Sequence, residues 1–411
     1  MIYLYRIAYF ILSYILIVFR FFLPTGLRKW IELREFKLRV DADFSGCYWF
    51  HAASGEIEYC KAVIRELKHA NPKLKIVVSY SSPSAERLFK NIAEHVDLFF
   101  PLPWDRPAEV SRIVSILKPK MLIFSRTDFW PELILAAKKR NVKLSAISFM
   151  LNPNSGAFQR YVLSELLRFF DFISSVDESS HSFLKKILEN TKISADGDTR
   201  FDQVFYRLSQ NSKITIKSEK PYIVFGSTWP EDEAVIYETL LKLKDRFKII
   251  FSPHEVAEEN ILKLEEKMTE SGLKCIRLGR VLESNESAGS IDVQFSFTSD
   301  LLLVDRIGYL ADCYRSSSLA FVGGSFRSRV HSVMEPLCCG NHVLVGPKIN
   351  NSPEAVRYVN KFVHVISDSN SLLQKIEELA THADRNLILN EMSKNKNASS
   401  NIAKKLLQAG F

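Results

Sequence analysis

Two carboxylates in this sequence stand at the ends of predicted strands, where a side chain could act as a base. Glu56 closes the run 51–56, HAASGE, in which a strand passes through a turn of small residues into a helix. Glycine permits the tight turn, and a carboxylate held there could take a proton from a hydroxyl nucleophile. The alternative is that Glu56 only stabilises the N-terminus of the helix through its dipole.

The second carboxylate, Asp128, lies in the run 125–131, SRTDFWP, again directly after a strand. The proline is placed to open the next helix. Asp128 and Arg126 could both face a ligand. Alternatively, Asp128 caps the helix and Trp130 packs in the core.

Two segments of the second half could hold an anion. Gly226, Ser227 and Thr228 end a strand and precede a helix with an acidic first turn. Their amides and hydroxyls could bind a phosphate or a sugar acid, although an ordinary helix cap is the alternative. Pro253 and His254 end the next strand, and His254 could bind a phosphate or could be structural or solvated.

The most specific signal is an ordered series of three segments near the C-terminus: FVGGS at 321–325, HSVMEP at 331–336 and GPKINNSPE at 346–354. Two glycines after a strand let the main chain approach a phosphate, and Glu335 in the following helix can chelate two ribose hydroxyls. A glycine pair alone could equally be a turn required for packing. The three segments in this order favour a nucleotide site.

The elements that must position these residues alternate between short apolar strands and amphipathic helices. Strands are predicted at 47–52, 75–81, 96–100, 121–125, 143–149 and 171–176, and then at 222–227, 248–252, 300–304, 319–324 and 342–346. This alternation predicts an α/β fold of two Rossmann-like, doubly wound parallel-sheet domains. Ligands are expected at the carboxyl ends of the strands, in a cleft between the domains.

The predicted organisation has five parts: a membrane-anchor helix at 1–24, an N-terminal domain at 40–210, a polar linker at 211–220, a C-terminal domain at 221–380 and C-terminal helices at 381–411. A length of 411 residues supports two domains, each with its own core. The interval from about Gly279 to Thr298, rich in Ser, Glu and Asn, is expected to be a surface loop.

The N-terminal segment is apolar and uncharged from Ile7 to Phe19. This run is shorter than the roughly 20 residues of a usual spanning helix, so both spanning and monotopic insertion are open. A signal peptide is the rival explanation, but no small-x-small cleavage motif follows, and we expect an uncleaved anchor. Basic residues crowd its C-terminal flank and predict that the rest of the protein is cytoplasmic: Arg28, Lys29, Arg34, Lys37 and Arg39.

The formal charge of +8 predicts anionic partners without choosing among phospholipids, phosphosugars, nucleotides and nucleic acid. Nucleic acid is disfavoured because the basic residues are dispersed and no binding motif is present. The six cysteines show no C-x-x-C spacing. They therefore give no zinc motif and fit a reduced cytoplasmic chain.

Taken in order, these segments resemble the Kdo (3-deoxy-D-manno-octulosonic acid) transferases over nearly the whole chain. That family has an N-terminal anchor followed by the boxes H-A-x-S-x-G-E, E-T-E-x-W-P, G-S-T, P-R-H or P-H-E, V-G-G-S, G-H-N-P-x-E-P and G-P-x-x-x-N-x-x-E. Recognisable versions of all of them occur here in the same order. Each box alone is weak, whereas the combination is specific.

The resemblance implies a GT-B glycosyltransferase whose N-terminal domain binds the acceptor and whose C-terminal domain binds the nucleotide sugar. It implies that Glu56 is the general base and that Asp128 is a possible second acid. The implied reaction transfers Kdo from CMP-Kdo to the lipid A precursor (lipid IVA) in lipopolysaccharide core biosynthesis, with inversion and with neither metal nor cofactor.

The resemblance also implies contacts with CMP-Kdo in the C-terminal domain, at Gly226, Ser227, Thr228, Pro253, His254, Ile307, Gly308, Tyr309, Ser332, Val333, Met334, Glu335 and Asn351. Glu335 would be the ribose ligand. The implied location is the inner membrane, with the catalytic domains on its cytoplasmic side against an anionic lipid surface.

The chain departs from the family pattern at four places. The first box is one residue short, and Arg126 stands where the second box begins with an acid. Ser332-Val333 replaces the Asn-Pro of the family, and Pro253 stands where an arginine often precedes the histidine. Phosphate binding would then rely more on main-chain amides or on nearby cations, namely Arg327, Arg329 and Lys348.

Two other functions are compatible with these features. Another GT-B transferase or a nucleotide-sugar epimerase would share the two-domain cleft and the ribose-binding glutamate, but an epimerase would not need the hydrophobic N-terminus. A non-catalytic membrane-associated binding protein of the same fold would explain Arg126. The presence of both Glu56 and Glu335 argues against that alternative.

Overall fold

The computed structural model describes residues 2–152, 154–286, 293–382 and 384–409. The described helices are α1 Ile2–Val18, α2 Thr25–Arg34, α3 Ile57–Ala70, α4 Ala85–Phe89, α5 Pro107–Leu117, α6 Pro131–Lys138, α7 Ala157–Leu167, α8 Glu178–Ile187, α9 Thr199–Ser209, α10 Pro230–Leu243, α11 Glu258–Glu270, α12 Leu278–Glu286, α13 Leu310–Arg315, α14 Met334–Cys338, α15 Pro353–Arg357, α16 Ser369–His382, α17 Arg385–Ser393 and α18 Ala398–Ala409.

The described strands are β1 Tyr48–Ala52, β2 Ile76–Tyr80, β3 Leu98–Pro101, β4 Met121–Ser125, β5 Lys143–Phe149, β6 Phe172–Ser175, β7 Lys192–Ala195, β8 Ile214–Ile216, β9 Tyr222–Thr228, β10 Lys248–Pro253, β11 Cys275–Arg277, β12 Val293–Phe295, β13 Leu301–Leu303, β14 Leu319–Val322, β15 His342–Val345 and β16 Val363–Val365. The chain forms two compact units. Unit 1 is Met1–Gln203 with Asn395–Phe411, and unit 2 is Val204–Lys394.

Unit 1 is built on a seven-stranded parallel sheet in the order β3-β2-β1-β4-β5-β6-β7. Successive residues of β1 enter different apolar clusters, since Trp49 packs in one and Tyr48 and Phe50 pack in the other. Both faces of the sheet are therefore covered, as is usual for parallel sheets. The strand order reverses between β1 and β4, and a ligand site is expected at their carboxyl ends.

Unit 2 repeats this architecture with a sheet in the order β11-β13-β10-β9-β14-β15-β16. Strand β9 contributes side chains to two apolar clusters, with Ile223 and Phe225 in one and Tyr222 and Val224 in the other. Its strand order reverses between β9 and β14. The predicted α/β class with two Rossmann-like domains is confirmed.

Helix α1 belongs to unit 1 and is fixed to the rest of that unit by polar side chains on one face. The Tyr5 hydroxyl donates to Asp105 at 2.7 Å, and Arg6 donates to Glu132 at 2.7 and 3.0 Å. One and two turns further on, Tyr9 accepts the amide of Asp105 at 3.2 Å and Ser13 accepts Arg106 at 2.7 Å. In the described part of the chain, no helix is both long and apolar enough to cross a membrane.

The structure differs from two predictions of chain organisation. The predicted linker at 211–220 contains β8, whose Ile214 and Ile216 are buried in the core of unit 2. The strand was missed because a short apolar pair in polar surroundings gives a weak periodic signal. The C-terminal helices predicted at 381–411 are present as α17 and α18, and α18 packs in the core of unit 1 through Ile402 and Leu406.

The second difference concerns the loop expected from Gly279 to Thr298. Most of its first part is helical, in α12, and its later part contains β12. Val281 and Phe297 are buried in unit 2. Residues 287–292 of this interval lie outside the described residues.

Candidate active site

Glu56 lies just beyond the carboxyl end of β1, in a short 3-10 turn, Ser54–Glu56, that leads into α3. Its amide donates to the carbonyl of Ala53 at 3.0 Å, and its own carbonyl accepts the Ser125 hydroxyl at 3.0 Å. The carboxyl atom Oε2 is buried, and no described residue forms a hydrogen bond with it. The turn thus fixes the main chain, while one carboxyl oxygen keeps its hydrogen-bonding capacity unused among the described residues.

Burial raises the pKa of Glu56 to about 7, with a further contribution from the negative charge of Asp128 and an opposing one from Arg126. A carboxylate normally titrates near 4.3. A group whose pKa lies near the working pH is well matched to accept a proton from a hydroxyl in the transition state.

Asp128 is held at the carboxyl end of β4 by two side-chain donors. Its Oδ2 atom lies 3.1 Å from His51 Nε2 and accepts the Ser81 hydroxyl at 3.0 Å. Burial acts to raise the pKa of Asp128, but its hydrogen bonds outweigh burial and hold the pKa below the usual range. Asp128 is therefore ionised at neutral pH while Glu56 is near its midpoint.

The orientation of His51 follows from a chain of hydrogen bonds across the sheet. Trp49 Nε1 donates to Ser79 Oγ at 2.8 Å, so the Ser79 hydroxyl can donate to His51 Nδ1, also at 2.8 Å. A ring that accepts at Nδ1 carries its proton on Nε2, where it donates to Asp128. Sequence analysis did not assign these partners, although Ser79 lies opposite His51 in the register of β1 and β2.

In unit 2, the predicted glycines lie where neighbouring main chains approach closely. A Cβ at Gly226 would overlap the Tyr314 hydroxyl, and one at Gly323 would overlap the carbonyl of Ser227. The Gly323 amide donates to the Gly226 carbonyl at 2.9 Å, and Ser227 has a φ of 54°. Close packing is thus sufficient reason for both glycines, and Ser227 occupies a left-handed turn at the strand end.

Thr228 and Asp232 support this end of the sheet. The Thr228 hydroxyl donates to Glu233 at 3.1 Å, so that hydroxyl is already bonded within unit 2. Asp232, fully buried, accepts the amides of Gly324 at 2.6 Å and Trp229 at 3.0 Å. Asp232 was missed in the sequence, where it is one of three acids in the first turn of a helix.

His254 belongs to a stack of rings at the carboxyl ends of β9, β10 and β14. Its ring centroid lies 4.6 Å from Trp229 and 4.4 Å from His331, and Trp229 Nε1 donates to His331 Nε2 at 2.9 Å. Burial, with the neighbouring His254 and Arg329, lowers the pKa of His331 to about 4. His331 is therefore neutral at pH 7, and the exposed ring of His254 is the member that a ligand can reach.

Glu335 and Asn351 are engaged in different ways. Glu335 forms a partly exposed ion pair with Arg207 at 2.8 Å. Asn351 donates to the Val330 carbonyl at 2.9 Å and accepts the Val330 amide at 3.1 Å. The Asn351 amide group thus supports the loop that carries His331, whereas Glu335 can exchange its partner.

The remaining predicted donor residues flank these groups. Pro253 is buried and His254 N donates to the Thr228 carbonyl at 2.9 Å, which brings the ends of β9 and β10 together. Val333 and Met334 are buried, so only their main chain could face a ligand, while Ser332 is exposed. Ile307 is 84% exposed beyond β13, next to Gly308 at φ 93° and to Tyr309, over which Lys213 lies at 5.3 Å.

Solved structures with a similar fold indicate the class of protein. UDP-GlcNAc 2-epimerase from Neisseria meningitidis is similar with a TM-score of 0.58, over 89% of this chain and 99% of that one, at 14% identity. MurG from Acinetobacter baumannii is similar with a TM-score of 0.52, over 88% and 99%, at 11% identity. At such identities the likeness shows the fold alone, which is of the GT-B type with two Rossmann-like domains.

Sequence similarity then relates the chain to a family of known proteins. Residues 29–203 match the family described as 3-Deoxy-D-manno-octulosonic-acid transferase (kdotransferase). The 3-deoxy-D-manno-octulosonic acid transferase of Aquifex aeolicus is 28% identical over 81% of this chain and 86% of its own. That of Chlamydophila psittaci is 27% identical over 82% and 78%. The chain is thus similar to Kdo transferases, which are glycosyltransferases, and the resemblance predicted from its sequence is confirmed.

Proposed function

We propose that this protein transfers Kdo from CMP-Kdo to a hydroxyl group of the lipid A precursor, with inversion and without a metal ion. The family and the relatives of the chain support Kdo transfer. The observation that carries the proposal is the Glu56 carboxyl group, which lies after β1, where the strand order of the unit 1 sheet reverses. One of its oxygens is buried and has no hydrogen-bond partner among the described residues.

In this reaction the Glu56 carboxylate takes the proton of the acceptor hydroxyl as its oxygen bonds to the anomeric carbon of Kdo. The bond between that carbon and the phosphate oxygen breaks, and CMP leaves with the electron pair. Such a single displacement inverts the anomeric centre. Asp128 stays ionised through its bonds to His51 and Ser81, and its charge keeps the proton affinity of Glu56 high.

Unit 2 would bind the donor. Glu335 is the proposed ligand of the ribose hydroxyls, because its ion pair with Arg207 is partly exposed and can be exchanged. The exposed His254 ring and the Ser227 turn would face the phosphate. Since the Thr228 hydroxyl is bonded to Glu233, Thr228 would contribute only its main chain.

Helix α1 would hold the enzyme at the cytoplasmic side of the inner membrane. Many of its apolar side chains are largely exposed: Tyr3, Leu4, Ile7, Phe10, Ile11, Leu12, Tyr14, Ile15 and Val18. Because polar contacts from Tyr5 to Ser13 fix one face to unit 1, we propose that α1 lies in the interface rather than across the bilayer. An acceptor lipid would then reach the site from the same surface.

The test is a transfer assay with the purified full-length chain. CMP-Kdo is generated in the reaction, a tetra-acylated lipid A precursor is the acceptor, no metal is added, and products are resolved by mass. A product heavier by one or more Kdo units would support the proposal. If no product forms but CMP still binds, the chain is better explained as a non-catalytic binding protein of the same fold. If it epimerises a nucleotide sugar without any acceptor, it is a nucleotide-sugar epimerase.

The variant Glu56→Gln tests, in the same assay, whether Glu56 is the general base. The substitution is expected to lower transfer by roughly 100-fold to 10,000-fold, because it removes the proton acceptor and keeps the shape of the side chain. CMP affinity, measured by calorimetry, should be unchanged. Glu189→Gln, at an exposed residue of the same unit, is the matched control. Wild-type turnover by Glu56→Gln would exclude Glu56 as the base.

A further inference from the structure

Arg126 occupies a left-handed main-chain conformation directly after β4, with a φ of 61°. Arginine rarely adopts this conformation, which costs free energy and persists where the surrounding structure imposes it. The Arg126 amide donates to the Ile147 carbonyl at 3.0 Å, and the preceding residue, Ser125, donates to the carbonyl of Glu56. The turn that carries Arg126 is therefore bonded to the turn that carries the proposed base.

The guanidinium group of Arg126 lies over Tyr59, with 5.1 Å between its central carbon and the ring centroid. Tyr59 is in the first turn of α3, three residues beyond Glu56. Arg200 lies over the same ring at 4.7 Å, but it is bonded to Asp198 at 2.7 Å. The two arginines thus share an aromatic support and differ in that Arg200 has a carboxylate partner.

Arg126 has no carboxylate at ion-pair distance within the described residues. Its Nη1 atom contacts Met150 Sδ at 3.6 Å, a weak acceptor, and the side chain is partly exposed. A guanidinium group has five N–H donors arranged in a fork. Most of the hydrogen-bonding capacity of Arg126 is therefore open to a ligand, beside a carboxyl group that the positive charge already influences.

We propose that Arg126 binds an oxyanion of a substrate beside Glu56. This inference rests on the proposed function. The oxyanion is either a phosphate carried by the acceptor or the carboxylate of the transferred sugar. Both present paired oxygens that a guanidinium fork binds through two hydrogen bonds. An acid, which the family resemblance leads one to expect at this position, would repel either group.

The experiment measures kcat and KM for both substrates with the full-length chain and Arg126→Gln. Arg126→Met, which keeps an apolar side chain next to Tyr59, is a second variant without charge, and Arg126→Lys keeps the charge without the fork. Arg168→Gln is the matched control, since Arg168 is exposed and forms only a surface pair with Glu165. Each variant is assayed with the phosphorylated acceptor and with the same lipid after removal of its phosphates.

Loss of the charge is expected to raise KM for one substrate by roughly 10-fold to 100-fold. Arg126→Lys should recover part of that loss, and Arg168→Gln should match the wild type. If the rise concerns the acceptor and vanishes once its phosphates are removed, the oxyanion is the acceptor phosphate. If it concerns the donor with both acceptors, the oxyanion is the sugar carboxylate.

KM values within twofold of wild type for both substrates in Arg126→Gln and Arg126→Met would overturn the inference. A fall in kcat with both KM values unchanged would overturn it as well, because that pattern indicates an effect on the chemical step and not on substrate binding. Failure of the wild-type chain to form any product has a different meaning. It would overturn the proposed function and, with it, this use of Arg126.

Discussion

Glu56 and Asp128 are both carboxylic acids at strand ends of one sheet, yet their hydrogen bonds differ. Asp128 accepts two bonds from His51 and Ser81, whereas Oε2 of Glu56 has no partner in the described part of the chain. Hydrogen bonds stabilise the ionised form, and burial without them stabilises the neutral form. The surroundings therefore push the two pKa values apart and favour Glu56 as the group that exchanges a proton.

The rate of transfer is expected to depend on the ionisation of Glu56. Because burial raises the pKa of Glu56 to about 7, kcat/KM should rise about tenfold per pH unit below that value and level off above it. Initial rates between pH 5 and pH 9 measure this profile. Asp128→Asn removes a charge that raises the pKa of Glu56. The acidic limb of the pH–rate profile of this variant should therefore move to lower pH. A flat profile from pH 5.5 to 8 would contradict a titrating base.

Glu335 provides a separate test of donor binding. Glu335→Ala is expected to weaken CMP binding about tenfold, since it removes the charged group that accepts hydrogen bonds from the ribose hydroxyls. Arg207→Met removes the partner of Glu335 in the ion pair and should leave CMP affinity within twofold of wild type. Calorimetry measures both. Equal loss in the two variants would mean that the ion pair matters and that Glu335 does not bind the nucleotide.

At the level of single elements, α1 combines a polar face that bonds to the rest of unit 1 with apolar side chains that are exposed. Tyr5, Arg6, Tyr9 and Ser13 recur at helical spacing and bond to unit 1. Tyr9 also packs edge-on against Trp130, two residues from Asp128. The helix therefore reaches the segment that carries part of the site, while its other side chains are exposed.

Replacing exposed apolar residues of α1 should weaken membrane association. Ile11 and Ile15 lie one turn apart and are 53% and 47% exposed. The double variant Ile11→Asn with Ile15→Asn is expected to bind phospholipid vesicles at least tenfold less well, because burying each side chain stabilises binding by about 1.5 to 3 kcal/mol. Vesicle sedimentation measures binding. Leu262→Asn with Leu387→Asn, exposed in unit 2, is the control, and an equal loss there would contradict a specific role of α1.

At the level of the whole molecule, the chain leaves unit 1 near residue 203 and returns to it near residue 395. The returning helix α18 places Ile402, Ala403 and Leu406 in the cluster that also contains Phe50 and Ile64. The Tyr48 hydroxyl donates to the Leu406 carbonyl at 3.4 Å. The last helix is therefore part of the core behind the proposed base, although it follows unit 2 in sequence.

Leu406→Ala is expected to destabilise unit 1. Leu406 is fully buried, and removing such a side chain costs about 2 to 5 kcal/mol of unfolding free energy. Urea unfolding followed by the fluorescence of the tryptophans measures the change. Leu387→Ala, at a residue of α17 that is 55% exposed, should change the free energy by less than about 0.5 kcal/mol. Similar effects in both variants would argue against α18 as a core element.

Much of the fold and part of the site could be predicted because they depend on local patterns. Apolar runs bounded by turns gave the strands, and the boxes around Glu56, Asp128 and Glu335 fell at strand or helix ends in the structure. A strand must bury its side chains and a turn needs particular residues, so both can be recognised from a single sequence. The roles of the site residues and the metal-free reaction stay predictions until they are tested.

What the sequence determined by itself was the pair of Rossmann-like domains, the resemblance to Kdo transferases and the candidate base. The tertiary structure decided which distant groups meet. The register of β1 against β2 places Ser79 beside His51, and the fold brings Asp128 to the same imidazole. The fold also packs α18 against unit 1. An amphipathic stripe predicts that one helix face is buried, but it does not predict which surface that face packs against. The pKa of Glu56 follows from such burial and neighbouring charge, which only the assembled fold defines.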